Sequence, residues 1–326
     1  MSIRISWSGC NAMIEIVRYT SDRIIEWDAF VGQSKNATFL FYRGYMDYHS
    51  NRFKDHSVMF YEKGRLCAIL PANDDGQGGF WSHRGLTYGG LLMNNRCKAA
   101  HVCEMMTVLN DYLRTQGFTH VVYKHIPWVY TTQPSEEALF AIANICHAQL
   151  RTRDIASVVK LSQRLPFSTL RKRGMKKGKQ AGLCVREMSD FAVYWKMLEQ
   201  HLWLKFSAKP IHTIDEMMLL KKRFPDNIRL MTVCKNDVIL GGTVLYDCGQ
   251  TVKTQYIMAS EEGRQLGALD FLFDRLLERY EAEGRLFFDF GTSNRVDNDD
   301  LNESLIFQKE GFGARAVCYD TYEWAL

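Results

Sequence analysis

The stretch DFGTSNRVDNDDLNESLIFQKEGFG, Asp289 to Gly313, holds a dense set of residues able to do chemistry: carboxylates, Lys309, and glycines that bracket a phenylalanine. Its opening triplet, Asp289-Phe290-Gly291, has the form of a metal-holding kinase loop. A kinase also needs a glycine-rich phosphate loop, a strand lysine and a His-Arg-Asp catalytic loop, each gripping part of the nucleotide. None is present, and the nearest echo, His83-Arg84-Gly85, lacks the aspartate that would act as base. The triplet needs a geometric explanation instead. A second feature is the run Arg164, Arg171, Lys172, Arg173, Lys176, Lys177 and Lys179, which has no acid among its members. It reads either as a solvated helix face or as an electrostatic cradle for phosphates.

Other chemistries find little support. The nine cysteines run from Cys10 to Cys318 without Cys-x-x-Cys pairs, and most (Cys67, Cys146, Cys234) sit in apolar runs, so they read as reduced, buried thiols. The histidines form no cluster with zinc spacing, so no metal is expected. A net charge of +4 argues only weakly for nucleic acid. No apolar run approaches the roughly 18 to 20 residues that cross a bilayer, and the start lacks a signal-peptide pattern. The expectation is a soluble, cytoplasmic protein. Residues 1–12 have no clear period and read as a leader of uncertain origin.

The elements that must position these residues occur in the same order twice. In the second half, NIRLMTVC, VILGGTVLY and TVKTQYIM predict a three-stranded meander with turns between. Arg264 to Glu283 then places Leu266, Leu269, Leu272, Phe273, Leu276, Leu277 and Tyr280 on one helical face, stopped by Gly284. LFFDF follows as a short buried strand, parallel to the last meander strand because a helix joins them. A helix over Asp300 to Glu310 and a closing strand, ARAVCYDTYEW, complete the unit. The first half repeats this with HSVMFYEK, RLCAILPA, GGFWSHRGLTYGG, a helix over Arg96 to Thr115, FTHVVYK, a helix over Glu136 to Leu150 and a strand over Ile155 to Leu161. The fold class is α/β (α+β): two tandem units, 13–163 and 164–326, each a mixed twisted sheet flanked by helices.

That order of elements, with HRGLTYGGLL, FSTLRKRGMKKGKQAGLCVRE and FFDFGTS…FQKEGFGAR in their places, resembles the FemAB-like branch of the GNAT acyltransferases over nearly the whole chain. The Asp-Phe-Gly triplet is then the end of the second unit's inner strand. With period two, Phe288 and Phe290 share one face and Asp289 the other, and Gly291 lets the chain turn out of the sheet. Lys309 matches the family's lysine, with Gln308 where a phenylalanine is usual. The resemblance makes Lys309 a candidate for contact with the acyl donor or the developing oxyanion; the other reading is a surface lysine favoured at a helix C-terminus.

The resemblance also implies attack of a neutral amine on an activated carbonyl, which needs a base and oxyanion donors but no covalent nucleophile. Asp289, Glu303, Tyr319 and Tyr322 are the groups in the second unit suited to it. Backbone amides at Gly263, Arg264, Gly267 and Ala268 fall where such enzymes hold a CoA pyrophosphate. Glu262 and Gln265 depart from the usual pattern there, and Glu261 and Glu262 would repel a diphosphate. No cofactor is expected to be tightly bound, and the donor is left open between acyl-CoA and aminoacyl-tRNA. Arg171, Lys172, Lys176 and Lys177 are candidates for phosphate contact. Tyr88 and Trp128, beside glycine or proline, could wall a substrate groove.

The expected function is transfer of an acyl or aminoacyl group to an amine-bearing cell-wall or glycan precursor, with tRNA as a partner on the aminoacyl reading. The coiled-coil arm that longer relatives insert is missing. The rivals are an acyl-CoA N-acyltransferase and a non-catalytic binding protein on a decayed fold.

Overall fold

A computed structural model describes residues 3–4, 14–295 and 300–326. Most of the leader expected at 1–12 therefore lies outside the described residues, while Ile3–Arg4 pairs antiparallel with a strand at Ile14–Arg18. The chain forms two compact units, Met1–Asp154 with Cys318–Leu326, and Ile155–Val317. The boundaries differ from the expected 13–163 and 164–326: the chain leaves the first unit partway along one strand, and its last residues return to it. Among the described residues, no helix is long and apolar enough to cross a membrane.

In the first unit, β1 (Ile14–Arg18), β2 (Val58–Glu62) and β3 (Arg65–Leu70) form the meander. β4 (Gly79–Trp81) runs parallel to β5 (His120–Lys124), and α1 (Ala99–Thr115) is the crossover between them. The face of α1 carrying Val102, Met105, Met106, Leu109 and Leu113 is fully buried in the unit's core, as a 3.6-residue period requires. The next helix, α2 (Glu137–Asn144), stops earlier than its apolar pattern suggested, because the residues from Gln149 join the long strand β6 (Gln149–Lys160).

In the second unit, α3 (Thr169–Gln180) precedes β7 (Cys184–Met188), α4 (Ala192–Phe206) and α5 (Ile214–Arg223). The meander is β8 (Ile228–Lys235), β9 (Val238–Asp247) and β10 (Thr251–Ala259), all antiparallel. The predicted single helix is two, α6 (Glu261–Leu266) and α7 (Ala268–Ala282), broken at Gly267 with φ +72. β11 (Phe287–Thr292) and α8 (Glu303–Glu310) follow, and β12 (Arg315–Ala325) begins in this unit and runs on into the first. Phe273 of α7 meets Phe288 and Phe290 of β11 edge-on, and Phe290 stacks on Phe312, so the inner strand is pinned by aromatic contacts.

Candidate active site

The second unit's central strands separate. β10 and β11 pair in parallel over only three positions, Thr251↔Phe287, Val252↔Phe288 and Lys253↔Asp289. β10 then continues to Ala259 along β9, and β11 to Thr292, without further pairing to each other. A bulge in β10 between Thr254 and Tyr256 marks the parting, where an unpaired residue, Gln255, bends the strand. The result is a fork with Gln255, Tyr256 and Ile257 half-buried along one prong.

At its base lie three buried ionisable side chains. Asp289 is 0 % exposed, Lys309 7 % and Lys253 8 %. Asp289 accepts the Gly291 amide at 2.6 Å, which holds the turn out of β11. Lys309 donates to the carbonyls of Gly291 (2.9 Å) and Thr292 (2.6 Å), tying α8 to the end of that strand. Lys253 donates to Gln255 Oε1 at 3.2 Å, so the bulged residue is itself fixed. Burial lowers both lysine pKa values; Asp289 opposes the shift in each, and Lys309 is left at about 8. A cation poised this close to neutrality, on a fixed backbone, can stabilise developing negative charge or exchange a proton with a nearby amine.

Further groups stand on the free half of β10. Tyr256 shares a hydrogen bond of 2.6 Å with His212 Nδ1, and burial pushes its hydroxyl up to about 12. Trp195 packs edge-on against the same ring. Its indole N–H is buried without a protein partner, as are the hydroxyls of Ser157 and Ser293. Buried polar atoms without partners are rare and point to a ligand or water.

The residues expected from sequence divide. Asp289 and Lys309 come together as described. Lys309 is buried and carbonyl-bound, unlike the surface lysine of the other reading. Glu303 is exposed in the first turn of α8, where its charge suits the helix N-terminus. Tyr319 and Tyr322, read as second-unit groups, belong to the first unit: Tyr319 donates to the Tyr130 hydroxyl and Tyr322 to Asp320. Tyr88 is 1 % exposed and packs on Tyr130, so it is a core residue rather than a groove wall, while Trp128 is exposed.

The expected pyrophosphate cradle is filled by protein. A Cβ on Gly267 would lie 2.3 Å from the Gly174 carbonyl of α3, and one on Gly263 would lie 2.2 Å from the Leu240 carbonyl. Ala268 is fully buried, and Arg264 is engaged by Glu261 and the Ala259 carbonyl. Asp270 occupies the first turn of α7 and pairs with Arg171 at 2.6 Å. Arg171 is therefore structural, whereas Lys172, Lys176 and Lys177 are exposed on α3.

Sequence reasoning missed Lys253, His212 and Tyr256. The one available signal was a lysine inside the β-rich run TVKTQYIM. The first unit has a half-buried ammonium at the end of β5: Lys124 donates to the carbonyls of Leu86 (2.8 Å) and Arg84 (3.2 Å), and burial lowers it to about 8.

Residues 171–299 match the family of the acetyltransferase (GNAT) domain. No curated protein matches the sequence. Among solved structures the chain is similar to FemX, with a TM-score of 0.67 and 9 % identity over 95 % of this chain and 97 % of that one. It is also similar to the C-terminal domain of a proposed lysylphosphatidylglycerol synthetase from Agrobacterium fabrum, with a TM-score of 0.59 and 12 % identity over 93 % and 92 %. A tandem GNAT protein from the clavulanic acid biosynthesis pathway gives a TM-score of 0.51 and 11 % identity over 96 % and 98 %. The inner-strand fork, the match of residues 171–299 and the shared architecture agree: the chain has a tandem GNAT fold, and its residues 171–299 are similar to the acetyltransferase (GNAT) domain.

Proposed function

We propose that the protein works in the cytoplasm and moves an aminoacyl group from a charged tRNA to an amine on a cell-envelope precursor, either a peptidoglycan peptide or an amino sugar of a surface glycan. The observation that carries this reading is the fork between β10 and β11, with Lys253, Asp289 and Lys309 buried at its base. An extended acyl donor can lie in such a gap, hydrogen-bonded to strand amides freed by the lost pairing. The amine then attacks across the fork, the carbonyl oxygen develops its charge near the buried lysines, the ester bond to the tRNA ribose breaks, and the Tyr256–His212 pair relays the ammonium proton towards the departing ribose hydroxyl.

Two features support tRNA as donor: the closed approach at Gly267, and the exposed Lys172, Lys176 and Lys177. Acyl-CoA is the second reading, favoured by the match of residues 171–299 to an acetyltransferase family.

The test is mass spectrometry of nucleotide-linked and lipid-linked peptidoglycan precursors and of amino-sugar nucleotides after incubation with purified protein and either aminoacyl-tRNA or acyl-CoA. An aminoacyl mass gain that depends on tRNA is the expected result. A gain with acyl-CoA alone selects the second reading, and no gain with any donor refutes both.

A further inference from the structure

The end of α4 and the segment after it present large apolar side chains to solvent. Trp203 (60 %), Leu204 (85 %), Phe206 (59 %) and Ile211 (77 %) are exposed within nine residues of chain, in HLWLKFSAKPI. Scattered exposed apolar residues need no explanation, but four large ones within nine residues of chain, one a tryptophan, do. Lys205 and Lys209 are exposed among them, with Lys205 lying over the Phe206 ring at 5.1 Å, and the sequence has no carboxylate between Glu199 and Asp215. Aromatic and aliphatic side chains interleaved with lysines suit the boundary of an anionic bilayer, where rings and alkyl groups enter the acyl region and ammoniums meet headgroup phosphates. The segment also adjoins the candidate active site. Ile211 precedes His212, which is hydrogen-bonded to Tyr256 on the free half of β10.

The geometry points to a membrane-docking surface: Trp203, Leu204, Phe206 and Ile211 insert into an anionic lipid surface, with Lys205 and Lys209 on its phosphates, so that the fork meets an acceptor carried on lipid. The acceptor clause rests on the proposed function, whereas the docking surface stands on its own exposure and charge.

The test is co-sedimentation of the full chain with vesicles of phosphatidylcholine alone or mixed with phosphatidylglycerol. It needs no donor or turnover, so its failure is distinct from failure of the transferase reading. Binding to the mixed vesicles is expected, with a blue shift in the emission difference between wild type and Trp203→Phe. Leu204→Glu with Ile211→Glu should weaken partitioning by about tenfold or more. Lys205→Glu with Lys209→Glu should weaken it by about tenfold on the anionic vesicles only. These positions are exposed, so circular dichroism melts of the variants should match wild type. Equal binding by the charge-reversed protein, or no binding to either vesicle, overturns the proposal. So does concentration-dependent self-association that Leu204→Glu abolishes, which would give the face to a second copy of the chain.

Discussion

Lys253 stands opposite Asp289 at the last parallel pair before β10 and β11 part, so the carboxylate sits where the sheet opens. Replacing it with asparagine keeps an acceptor for the Gly291 amide but removes the strongest charge opposing the burial of Lys253 and Lys309. We expect Asp289→Asn to cost about 2–4 kcal/mol at pH 7. The loss should shrink by pH 9.5, where Lys309 sheds its charge in the folded state. Urea melts at the two pH values measure this, and a pH-independent loss would detach Asp289 from the lysines.

Lys309 gives a pH dependence of its own. Its folded pKa, about 8, lies below the ordinary lysine value, so its charge costs stability at neutral pH. As pH rises from about 8 towards the unfolded value of about 10.4, the unfolded chain binds more protons and stability rises. Lys309→Met should remove this rise, seen as the difference between wild-type and variant denaturation midpoints across pH 7 to about 10.5. It should also cost about 1–3 kcal/mol, because the carbonyls of Gly291 and Thr292 lose their donor.

Gly267 is held in the left-handed region with the Gly174 carbonyl against it. Gly267→Ala should therefore cost about 2–4 kcal/mol, combining backbone strain and overpacking. At Gly174 the obstacle to a methyl group is the Asp270 side chain rather than backbone. Gly174→Ala should cost less, and a thermal-melt comparison ranks the two.

Arg171 and its basic neighbours should separate by assay. Arg171→Ala leaves Asp270 half-buried without its guanidinium partner and should lower stability by about 1–3 kcal/mol. Converting Lys172, Lys176 and Lys177 to glutamine should leave the melt within about 0.5 kcal/mol of wild type. The same triple change should weaken tRNA binding in filter assays and flatten its salt dependence.

The hairpins and crossover helices were legible because strand and helix periods survive in the sequence, as with Phe288 and Phe290 on one face of β11 or the apolar stripe of α7. Asp289 and Lys309 were legible through their motif. Lys253 was not, since period two places it with Thr251 and Gln255 on what reads as a solvent face; as an inner strand, β10 buries that face too. His212 lies in an irregular link with no period to read. Gly267 passed for a helix-interior residue because only three-dimensional packing reveals its positive φ. The stop of α2 at Asn144 was hidden for a related reason: the following residues serve a long strand, whose hydrogen bonds outweigh local helix preference.

The first unit depends on the chain's last residues. Thr321–Ala325 pair with His120–Lys124, and the Trp324 indole donates to Asn110 in that unit's core. During synthesis, the portion emerging first cannot complete its sheet until residues 321–325 have left the ribosome. A nascent chain halted at Val317 should accordingly show protease sensitivity in its amino-terminal portion that disappears once the remaining residues leave the ribosome.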